Sequence, residues 1–408
     1  MKTSISIIGS GPSALLLAAF LDETKFDVTI YEKNAAPSRK FLVAGDGGFN
    51  LTHGEELQQF ISRYTPSDFF KNIIPSFTNN DLREWLKTIG IETFVGSSNR
   101  IFPVKGIKPI DVLNAILDEL KIKNVTIKTN HEWKGWNSEK LSFEGCPPLE
   151  GVGGGLSAIV VFALGGASWK VTGSSGAWTN YFSEKGIEIV PFQPSNCAFE
   201  VKWKEEFVRV VEGQSIKNIS ITCGGKEKKG EVVITKFGLE GGVLYALSPE
   251  IRKQSPQYCG DCGNKSFASI FIDLKPVLSL DEIKTRFGRR GNRSIKKMLV
   301  DHLNFTDTHV ELLKTVLSKE EFIDPEVLAE KIKKLPLVIT SAAPIDEAIS
   351  TVGGIALSEM DENFQLKKLP NNYCIGEMLD WDAPTGGYLL QACFSMGVKL
   401  AKHLNAKS

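Results

Sequence analysis

The first 32 residues, MKTSISIIGSGPSALLLAAFLDETKFDVTIYE, predict a strand, a glycine turn, a helix and a second strand. Ser4–Ile8 is a short run rich in β-branched side chains, which is typical of a buried parallel strand. Leu15–Leu21 holds strong helix formers and apolar core residues, and Val28–Tyr31 predicts the second strand. This β-α-β order predicts an α/β fold built on a parallel sheet.

Between the first strand and the helix, Gly9, Gly11 and Ala14 form the pattern G-x-G-x-x-A. Gly9 allows a tight turn, Gly11 lets the backbone approach a pyrophosphate, and Ala14 permits close packing of the helix on the strand. Glu32 follows the second strand, where a carboxylate can accept hydrogen bonds from ribose hydroxyls. The predicted dinucleotide site consists of Gly9, Gly11, Pro12, Ser13, Ala14, Glu32 and Lys33.

Two alternatives exist for this segment. A secretory signal is one, because Lys2 precedes an apolar run. The run contains two glycines and Pro12 and leads into a strand rather than a cleavage site, which argues against a signal. A chance βαβ unit is the other. The complete order of strand, turn, helix, strand and acidic residue favours dinucleotide binding over it.

Composition limits the class of protein. The chain has 408 residues, enough for two or three domains, with 48 basic and 48 acidic residues. The balanced charge gives no support for a nucleic-acid partner, and no apolar run is long enough to span a membrane. Seven scattered cysteines fit a reducing cytoplasm, and the lone Cys259-x-x-Cys262 pair predicts neither a zinc site nor a redox site. We therefore expect a cytoplasmic protein with a small-molecule substrate.

A second candidate ligand site is the loop RKFLVAGDGGFNLTH at residues 39–53. Its three glycines within four positions exclude regular helix and strand, so its backbone N–H groups can line an anionic or aromatic ligand. A surface turn with two solvated bases is the alternative. His53 ends the loop and is a weak candidate for a catalytic base. The candidate binding residues are Arg39, Lys40, Gly45, Asn50, Leu51 and Thr52.

The middle of the chain changes character twice. Residues 55–120 have mainly helical periodicity, and Ala158–Leu164 predicts a strand that ends near Gly165. Ligands bind at such strand ends in doubly wound sheets, which makes Ala163 and Gly165 candidates. Residues 280–335 are again helical. Between them, short alternating stretches predict an antiparallel, barrel-like insert with strands at Cys197–Val201, Phe207–Val211, Ile216–Thr222 and Glu231–Thr235.

The last segment returns to α/β character. Tyr373–Met378 predicts an apolar strand that contains Gly376-Glu377, and Leu389–His403 predicts a helix. That helix begins after Gly386-Gly387, so its N-terminus could face an anion or a flavin; ordinary loop flexibility is the alternative. The candidate binding residues are Gly376, Glu377, Asp380, Thr385, Gly386, Gly387 and Tyr388.

These stretches together resemble a known family. They read GSGPSA (9–14), RKFLVAG (39–45), NLTH (50–53), ALGGASW (163–169), GLEGG (238–242), GEMLDW (376–381) and PTGGY (384–388). With them the chain resembles the YhiN/BaiN-type flavoproteins, also called aminoacetone-oxidase-like FAD-binding enzymes. The family often has Arg-Cys before the Asn of its glycine loop, whereas this chain has Gly48 and Phe49. Chemistry that uses that arginine or cysteine is therefore not carried over.

The resemblance implies FAD rather than a nicotinamide cofactor on the glycine turn. It implies a Rossmann-like FAD-binding domain of residues 1–191 and 346–408, formed by both chain ends. Inserted in it are a β-rich domain (192–278 and 336–345) and a small helical domain (279–335). Family activities include amine oxidation and enone reduction, with the flavin reoxidised by dioxygen or reduced by transiently bound NAD(P)H. A non-catalytic flavin or nucleotide sensor and an NAD-dependent dehydrogenase are the alternatives.

Overall fold

The computed structural model describes residues 2–43, 49–96, 98–137, 140–144, 159–254, 268–289, 291 and 293–407. The chain divides into two units, Met1–Gln193 with Ser350–Ser408, and Pro194–Ile349. Each unit has its own apolar core. Predictions for Gly45, Gly48, Cys259 and Cys262 concern positions outside the described residues.

The elements of the chain follow in sequence order. Up to residue 195 they are β1 (Thr3–Ile8), α1 (Pro12–Phe20), β2 (Phe26–Tyr31), α2 (Arg39–Val43), β3 (Thr52–His53), α3 (Leu57–Ile61), α4 (Ser67–Phe70), α5 (Asn79–Thr88), β4 (Thr93–Val95), β5 (Arg100–Pro103), α6 (Pro109–Ile122), β6 (Thr126–Lys128), β7 (Trp133–Asn137), β8 (Lys140–Phe143), β9 (Ile159–Phe162), α7 (Thr179–Glu184) and β10 (Ile189–Ser195). From there to residue 342 they are β11 (Phe199–Glu200), α8 (Glu205–Val211), β12 (Ser215–Cys223), β13 (Lys226–Ile234), β14 (Gly238–Glu240), α9 (Gly242–Lys253), β15 (Ala268–Asp273), α10 (Leu280–Gly288), α11 (Ile295–Leu303), α12 (Asp307–Val316), α13 (Lys319–Ile323), α14 (Pro325–Lys333), β16 (Leu335–Ile339) and β17 (Ser341–Ala342). The last are β18 (Ser350–Ile355), β19 (Asn372–Cys374) and α15 (Tyr388–Lys407).

A five-stranded parallel sheet forms the centre of the first unit. Its strand order is β19–β9–β1–β2–β6, and each neighbouring pair is parallel. The chain runs outward from β1 through β2 to β6, and later adds β9 and β19 on the other side of β1. The order thus reverses between β1 and β9, and ligands of doubly wound sheets bind at such a point, outside the carboxyl ends of the strands. The predicted α/β fold with a parallel sheet is confirmed.

The two chain ends meet where α1 crosses α15. Helix α1 is apolar on nearly all sides, and Ser13 to Ala19 are buried, as expected of a helix enclosed in a core. A Cβ added to Gly397 of α15 would lie 2.4 Å from the Ser13 carbonyl oxygen and 2.9 Å from the Leu17 nitrogen. The absence of a side chain at Gly397 therefore lets α15 pack directly on the helix that follows the glycine turn.

The second unit consists of a seven-stranded antiparallel sheet and several helices, and the sheet and helices share one apolar core. The strand order is β16–β15–β12–β13–β14–β11–β17. Its two edge strands, β16 and β17, are consecutive in the chain and separated by Thr340 alone, so the sheet curls round as a barrel would. Helical residues such as Ile283 and Met298 share one core with the strands. The finer division into a β-rich and a helical domain stays a prediction.

One predicted strand of this unit is wrong. Phe207–Val211 lies in helix α8, not in a strand. Phe207 and Val211 are one helical turn apart and both buried, whereas Val210 is 64% exposed. The valines favour β structure locally, but the spacing of the two buried residues fits a helix, and Glu205 and Glu206 suit its first turn.

In the part of the chain that the structure describes, no helix combines the length and the apolar character needed to cross a bilayer.

Candidate active site

The candidate site begins at Gly9, which lies where three strands of the parallel sheet end. Its N–H donates to the Tyr31 carbonyl of β2 (2.8 Å), and the Ala163 N–H donates to the Ile8 carbonyl of β1 (2.8 Å). Gly9 has φ +97°, and a Cβ added there would lie 2.4 Å from the Ala163 carbonyl oxygen. Only glycine fits this turn, because the contact between β1 and β9 leaves no space for a side chain.

Gly11 differs from Gly9 in what surrounds it. Its φ of −66° suits any residue, and it precedes the first turn of α1, which contains Pro12. Among the described residues other than its chain neighbours, an added Cβ would approach the Ala163 carbonyl oxygen alone, at 3.9 Å. The first N–H groups of a helix have no partner within it, so this end of α1 can receive a phosphate group beside Gly11.

Glu32 lies at the end of β2, as predicted, and is 7% exposed. Its Oε2 accepts hydrogen bonds from the backbone N–H (3.3 Å) and hydroxyl of Ser10. Its Oε1 accepts from the backbone N–H (2.8 Å) and side-chain amide (2.7 Å) of Asn34. The carboxylate therefore ties the glycine turn to the loop after β2, a role that the sequence did not indicate. Ribose hydroxyls would join or replace these donors.

Lys40 of helix α2 forms an ion pair with Glu377 in the loop after β19. Lys40 Nζ lies 3.0 Å from Glu377 Oε2 and donates to the Ser168 hydroxyl at 2.9 Å. The Thr351 N–H donates to Glu377 Oε1 at 3.2 Å. A Cβ on Gly166 would lie 2.1 Å from Thr351 Oγ1, so this cluster requires glycine there. The loops after β9 and β19 thus meet helix α2 at the carboxyl edge of the sheet.

Gly387 packs against the backbone of Thr52, the first residue of β3. It has φ +93°, and a Cβ added there would lie 2.6 Å from Thr52 Cα and 2.8 Å from Thr52 N. Gly387 therefore holds the start of β3 against the start of α15. That the glycine turn before α15 also faces a ligand stays a prediction.

Residues 50–53, which include β3, carry buried polar atoms that lack hydrogen-bond partners among the described residues. Asn50 Nδ2, Thr52 Oγ1 and His53 Nδ1 are buried and make no hydrogen bond within the described protein. An unpaired buried polar atom costs about 1–3 kcal/mol, and native proteins rarely leave several together. A ligand with ring nitrogens and carbonyl oxygens, such as a flavin, would pair with such atoms. The predicted FAD therefore fits this part of the site.

A charged cluster surrounds the side chain of Tyr388. Arg63 binds Glu55 through two contacts, Nε to Oε2 (3.0 Å) and Nη2 to Oε1 (2.6 Å). The Tyr388 phenol lies close enough to both residues for their charges to act on its pKa. The His53 ring stacks on the Tyr388 ring, with centroids 5.1 Å apart and planes 21° apart. His53 Nδ1 lies 3.8 Å from Glu55 Oε1.

Burial sets the protonation of this cluster. It raises the pKa of Tyr388, and the negative charge of Glu55 adds to the effect, so the phenol stays protonated at neutral pH. Burial lowers the pKa of His53, while Glu55 acts in the opposite direction. Burial also acts to raise the pKa of Glu55, but hydrogen bonds from Arg63 and Tyr388 outweigh it and leave that pKa lowered. The cluster thus has a proton donor, a proton acceptor and a carboxylate between them.

The remaining candidate residues occupy varied positions. Arg39 is exposed at the start of α2, whereas Leu51 is buried and donates its N–H to the Ile101 carbonyl (2.9 Å). Asp380 Oδ1 accepts from the Gly353 N–H at 3.1 Å. Phe49, at the family's cysteine position, packs edge-on against Phe41. The described candidates come from strand ends and from loops beside the same sheet edge.

Sequence reasoning did not identify Glu55, Arg63, Ser168 or Thr351. Ser168 and Thr351 act through contacts between segments far apart in the chain. Glu55 and Arg63 are close in the chain, but they pair across helix α3, which no sequence pattern indicates. A cation site is a separate question. No group of three or more His, Cys, Asp or Glu side chains suited to a metal occurs among the described residues.

Comparisons with known proteins identify a family and several relatives of this chain. The model of the family described as HI0933-like protein Rossmann domain matches residues 3–403. The 3-dehydro-bile acid delta(4,6)-reductase of Clostridium scindens is 23% identical over 413 residues, covering 96% of this chain and 97% of that protein. The ribosomal RNA dihydrouridine synthase of Escherichia coli is 23% identical over 411 residues, covering 98% and 97%.

A solved structure also aligns with the whole chain. It is the 3-ketosteroid delta1-dehydrogenase from Sterolibacterium denitrificans in complex with 1,4-androstadiene-3,17-dione. The two are 11% identical, with a TM-score of 0.48 and full coverage of both chains.

Proposed function

The chain belongs to the HI0933-like family of FAD-binding Rossmann-domain proteins, and from this premise we propose that it is an FAD-dependent reductase of conjugated carbonyl compounds. Family membership makes it a flavin-dependent oxidoreductase. The proposed reaction saturates a carbon–carbon double bond next to a carbonyl group in a small organic molecule. The proposed electron donor is NAD(P)H, which would bind transiently beside the flavin.

The names of two relatives support this bond chemistry. A 3-dehydro-bile acid delta(4,6)-reductase acts on a ketone with carbon–carbon double bonds. A dihydrouridine synthase produces a uracil ring whose double bond, conjugated with a carbonyl, has become saturated. The equal numbers of basic and acidic residues favour a small molecule over RNA as the substrate of this chain.

The observation that carries the proposal is the group of unpaired atoms on Asn50 and Thr52 beside Gly387. These side chains would hold the flavin ring, the end of α1 at Gly11 would bind the diphosphate, and Glu32 would contact the ribose. When bound, FAD supplies the hydride. The protein contributes position, exclusion of water and a proton, and buried Tyr388 lies one residue from Gly387.

Two half-reactions measured separately test the proposal. The FAD-loaded protein is first reduced by NADH or NADPH without oxygen, and is then mixed with cyclohex-2-enone or an unmodified ribosomal RNA fragment. Aminoacetone is mixed separately with the oxidised, FAD-loaded protein. We expect NADH or NADPH to bleach the flavin and cyclohex-2-enone to restore its colour. Reduction of the flavin by aminoacetone would show an amine oxidase instead, and reoxidation by RNA alone would show a nucleic-acid substrate.

A further inference from the structure

We propose that Tyr388 donates the proton in this reduction, and that Glu55, Arg63 and His53 hold the tyrosine in place and return its proton. The inference rests on the proposed function, because it assigns the proton that must accompany the hydride. Tyr388 would be a catalytic residue, and Glu55 and Arg63 positioning residues.

The Tyr388 side chain is fixed from several directions. It begins α15 directly after Gly387, whose backbone contacts Thr52, and it is 5% exposed. Its ring stacks on His53 and lies 4.9 Å from the ring of Phe60, measured between centroids. The Tyr64 hydroxyl donates to the Tyr388 carbonyl at 2.8 Å. A donor held this firmly keeps one geometry through the reaction, as proton transfer requires.

The Arg63–Glu55 pair balances the charge that proton transfer creates. Loss of the phenol proton leaves a tyrosinate next to the Glu55 carboxylate, which alone would be unfavourable in a buried site. Arg63 is bound to Glu55, its charge also acts on the Tyr388 phenol, and its guanidinium remains charged at every relevant pH. The arginine therefore offsets the carboxylate before transfer and the tyrosinate after it.

His53 is placed to return the proton. Among the described residues its buried Nδ1 has no hydrogen-bond partner, and it lies 3.8 Å from Oε1 of Glu55, the carboxylate whose charge acts on the Tyr388 phenol. A proton on Nδ1 would form an ion pair with that carboxylate. The charged and titratable groups that act on His53 are Glu55, Arg63 and Arg100, and Tyr388 stacks on its ring. Glu55 thus connects the donor to a second proton-binding group.

The proposed step balances as follows. The hydride forms a C–H bond at the carbon β to the carbonyl, with both electrons supplied by NAD(P)H through the cofactor. The O–H bond of Tyr388 breaks, and its proton forms the C–H bond at the α carbon. The tyrosinate then recovers a proton from His53 by way of Glu55, and His53 takes one from solvent.

The first experiment compares Tyr388→Phe with Tyr181→Phe, a tyrosine of α7 outside the cluster. Both variants, loaded with FAD and reduced, are mixed with cyclohex-2-enone in H2O and in D2O. We expect Tyr388→Phe to slow reoxidation by about 100-fold, the scale of general acid catalysis. Reduction by NAD(P)H and FAD occupancy should stay as in the wild type, which a merely structural role would not predict. Wild-type reoxidation should slow in D2O.

The second experiment compares His53→Asn with His403→Asn, a histidine on the last turns of α15. Steady-state turnover of the wild type and of His403→Asn should fall as pH rises, because His53 loses the proton it returns. The profile of His53→Asn should be flatter. If the wild type turns over and Tyr388→Phe is reoxidised at the wild-type rate, Tyr388 is not the proton donor. The proposed reductase function would still stand in that case. Failure of the enone to reoxidise the wild type would instead overturn the proposed reductase and this inference with it.

Discussion

At the residue scale, three glycines of the site have different neighbours. Added Cβ atoms at Gly9 and Gly387 would overlap the backbones of Ala163 and Thr52, at 2.4 Å and 2.6 Å. At Gly11 the nearest atom of the described residues, its chain neighbours apart, would be 3.9 Å away. The protein therefore requires glycine at Gly9 and Gly387 for its own packing, whereas only a ligand would require it at Gly11.

This contrast predicts opposite effects at two positions of one motif. Gly11→Val should abolish FAD binding, because its side chain would occupy the space that the pyrophosphate needs. The FAD-free variant should lose only about 1 kcal/mol of stability, for valine at a helix N-cap. Gly9→Ala should destabilise the FAD-free protein far more. Denaturant unfolding and FAD titration measure both; full FAD binding by Gly11→Val would place the diphosphate elsewhere.

A similar comparison tests the contact between Gly387 and Thr52. Gly387→Ala combines a positive φ with a backbone clash. Gly90→Ala has a similar φ of +83°, but within the described part of the chain its added Cβ meets no atom within 4 Å beyond its chain neighbours. Gly90→Ala should cost about 1 kcal/mol through its backbone conformation alone. Gly387→Ala should cost more stability and should also lower FAD affinity, because it displaces Thr52 at the start of β3. Equal losses of stability in the two variants, measured by thermal unfolding, would show that the backbone around Thr52 adjusts freely.

At the element scale, the sequence predicted β1, α1 and β2 well because each has a clear period and a glycine turn between them. Helix α8 was predicted as a strand, since five residues fit both periods and tertiary packing decides. Glu32 was placed correctly at the end of β2, but its bonds to Ser10 and Asn34 depend on how loops meet. The Glu55–Arg63 pair has the same origin, and no sequence rule would find it.

Helix α12 contains a pH-sensitive cap in the second unit. His309 Nδ1 accepts from the hydroxyl (2.8 Å) and N–H (3.3 Å) of Thr306, and its ring stacks on Phe305. Burial, with a smaller effect from Lys275, lowers the pKa of His309 to about 4. Below the unfolded value near 6.5, only the unfolded chain takes up this proton. Stability therefore falls as pH drops from 6.5 towards 4.

A variant isolates this contribution. Between pH 7.5 and 5 the His309 cap should cost the wild type about 2 kcal/mol of unfolding free energy. His309→Gln keeps a side-chain acceptor for the cap but cannot titrate in this range. Its stability should therefore fall by about 2 kcal/mol less over the same interval, measured by urea unfolding of the second unit's transition. Identical pH dependence in both proteins would contradict a neutral, buried His309.

At the scale of the whole molecule, the described candidate residues all belong to the first unit. Together with the site residues that the structure adds, they lie in residues 9–63, 163–168 and 351–388, whereas the second unit is 194–349. The two apolar cores share no residue. The sequence predicts that both chain ends contribute to one domain. In the structure the two ends meet where α15 packs on α1. The stabilising contacts of the FAD site therefore do not depend on the core of the inserted unit.

The junction of the two units makes this independence testable. Strands β10 and β18 pair, with the Ala356 N–H donating to the Glu188 carbonyl at 3.0 Å. Nearer the junction, a Cβ on Gly353 would lie 2.5 Å from the Pro191 carbonyl oxygen. The strands are therefore antiparallel, and Gln193 and Ser350 lie at the same end of the pair. A short hairpin loop can join them.

We predict that replacing residues 194–349 with a loop of about four residues leaves a folded, yellow FAD protein. Its parallel sheet, both ends of α15 and the candidate FAD contacts remain, so FAD affinity should fall by less than tenfold. The excised segment 194–349 should unfold cooperatively and bind no flavin, because its core is complete. FAD titration and circular dichroism test both pieces. A shortened protein that folds but no longer holds FAD would show that the inserted unit supplies part of the cofactor site.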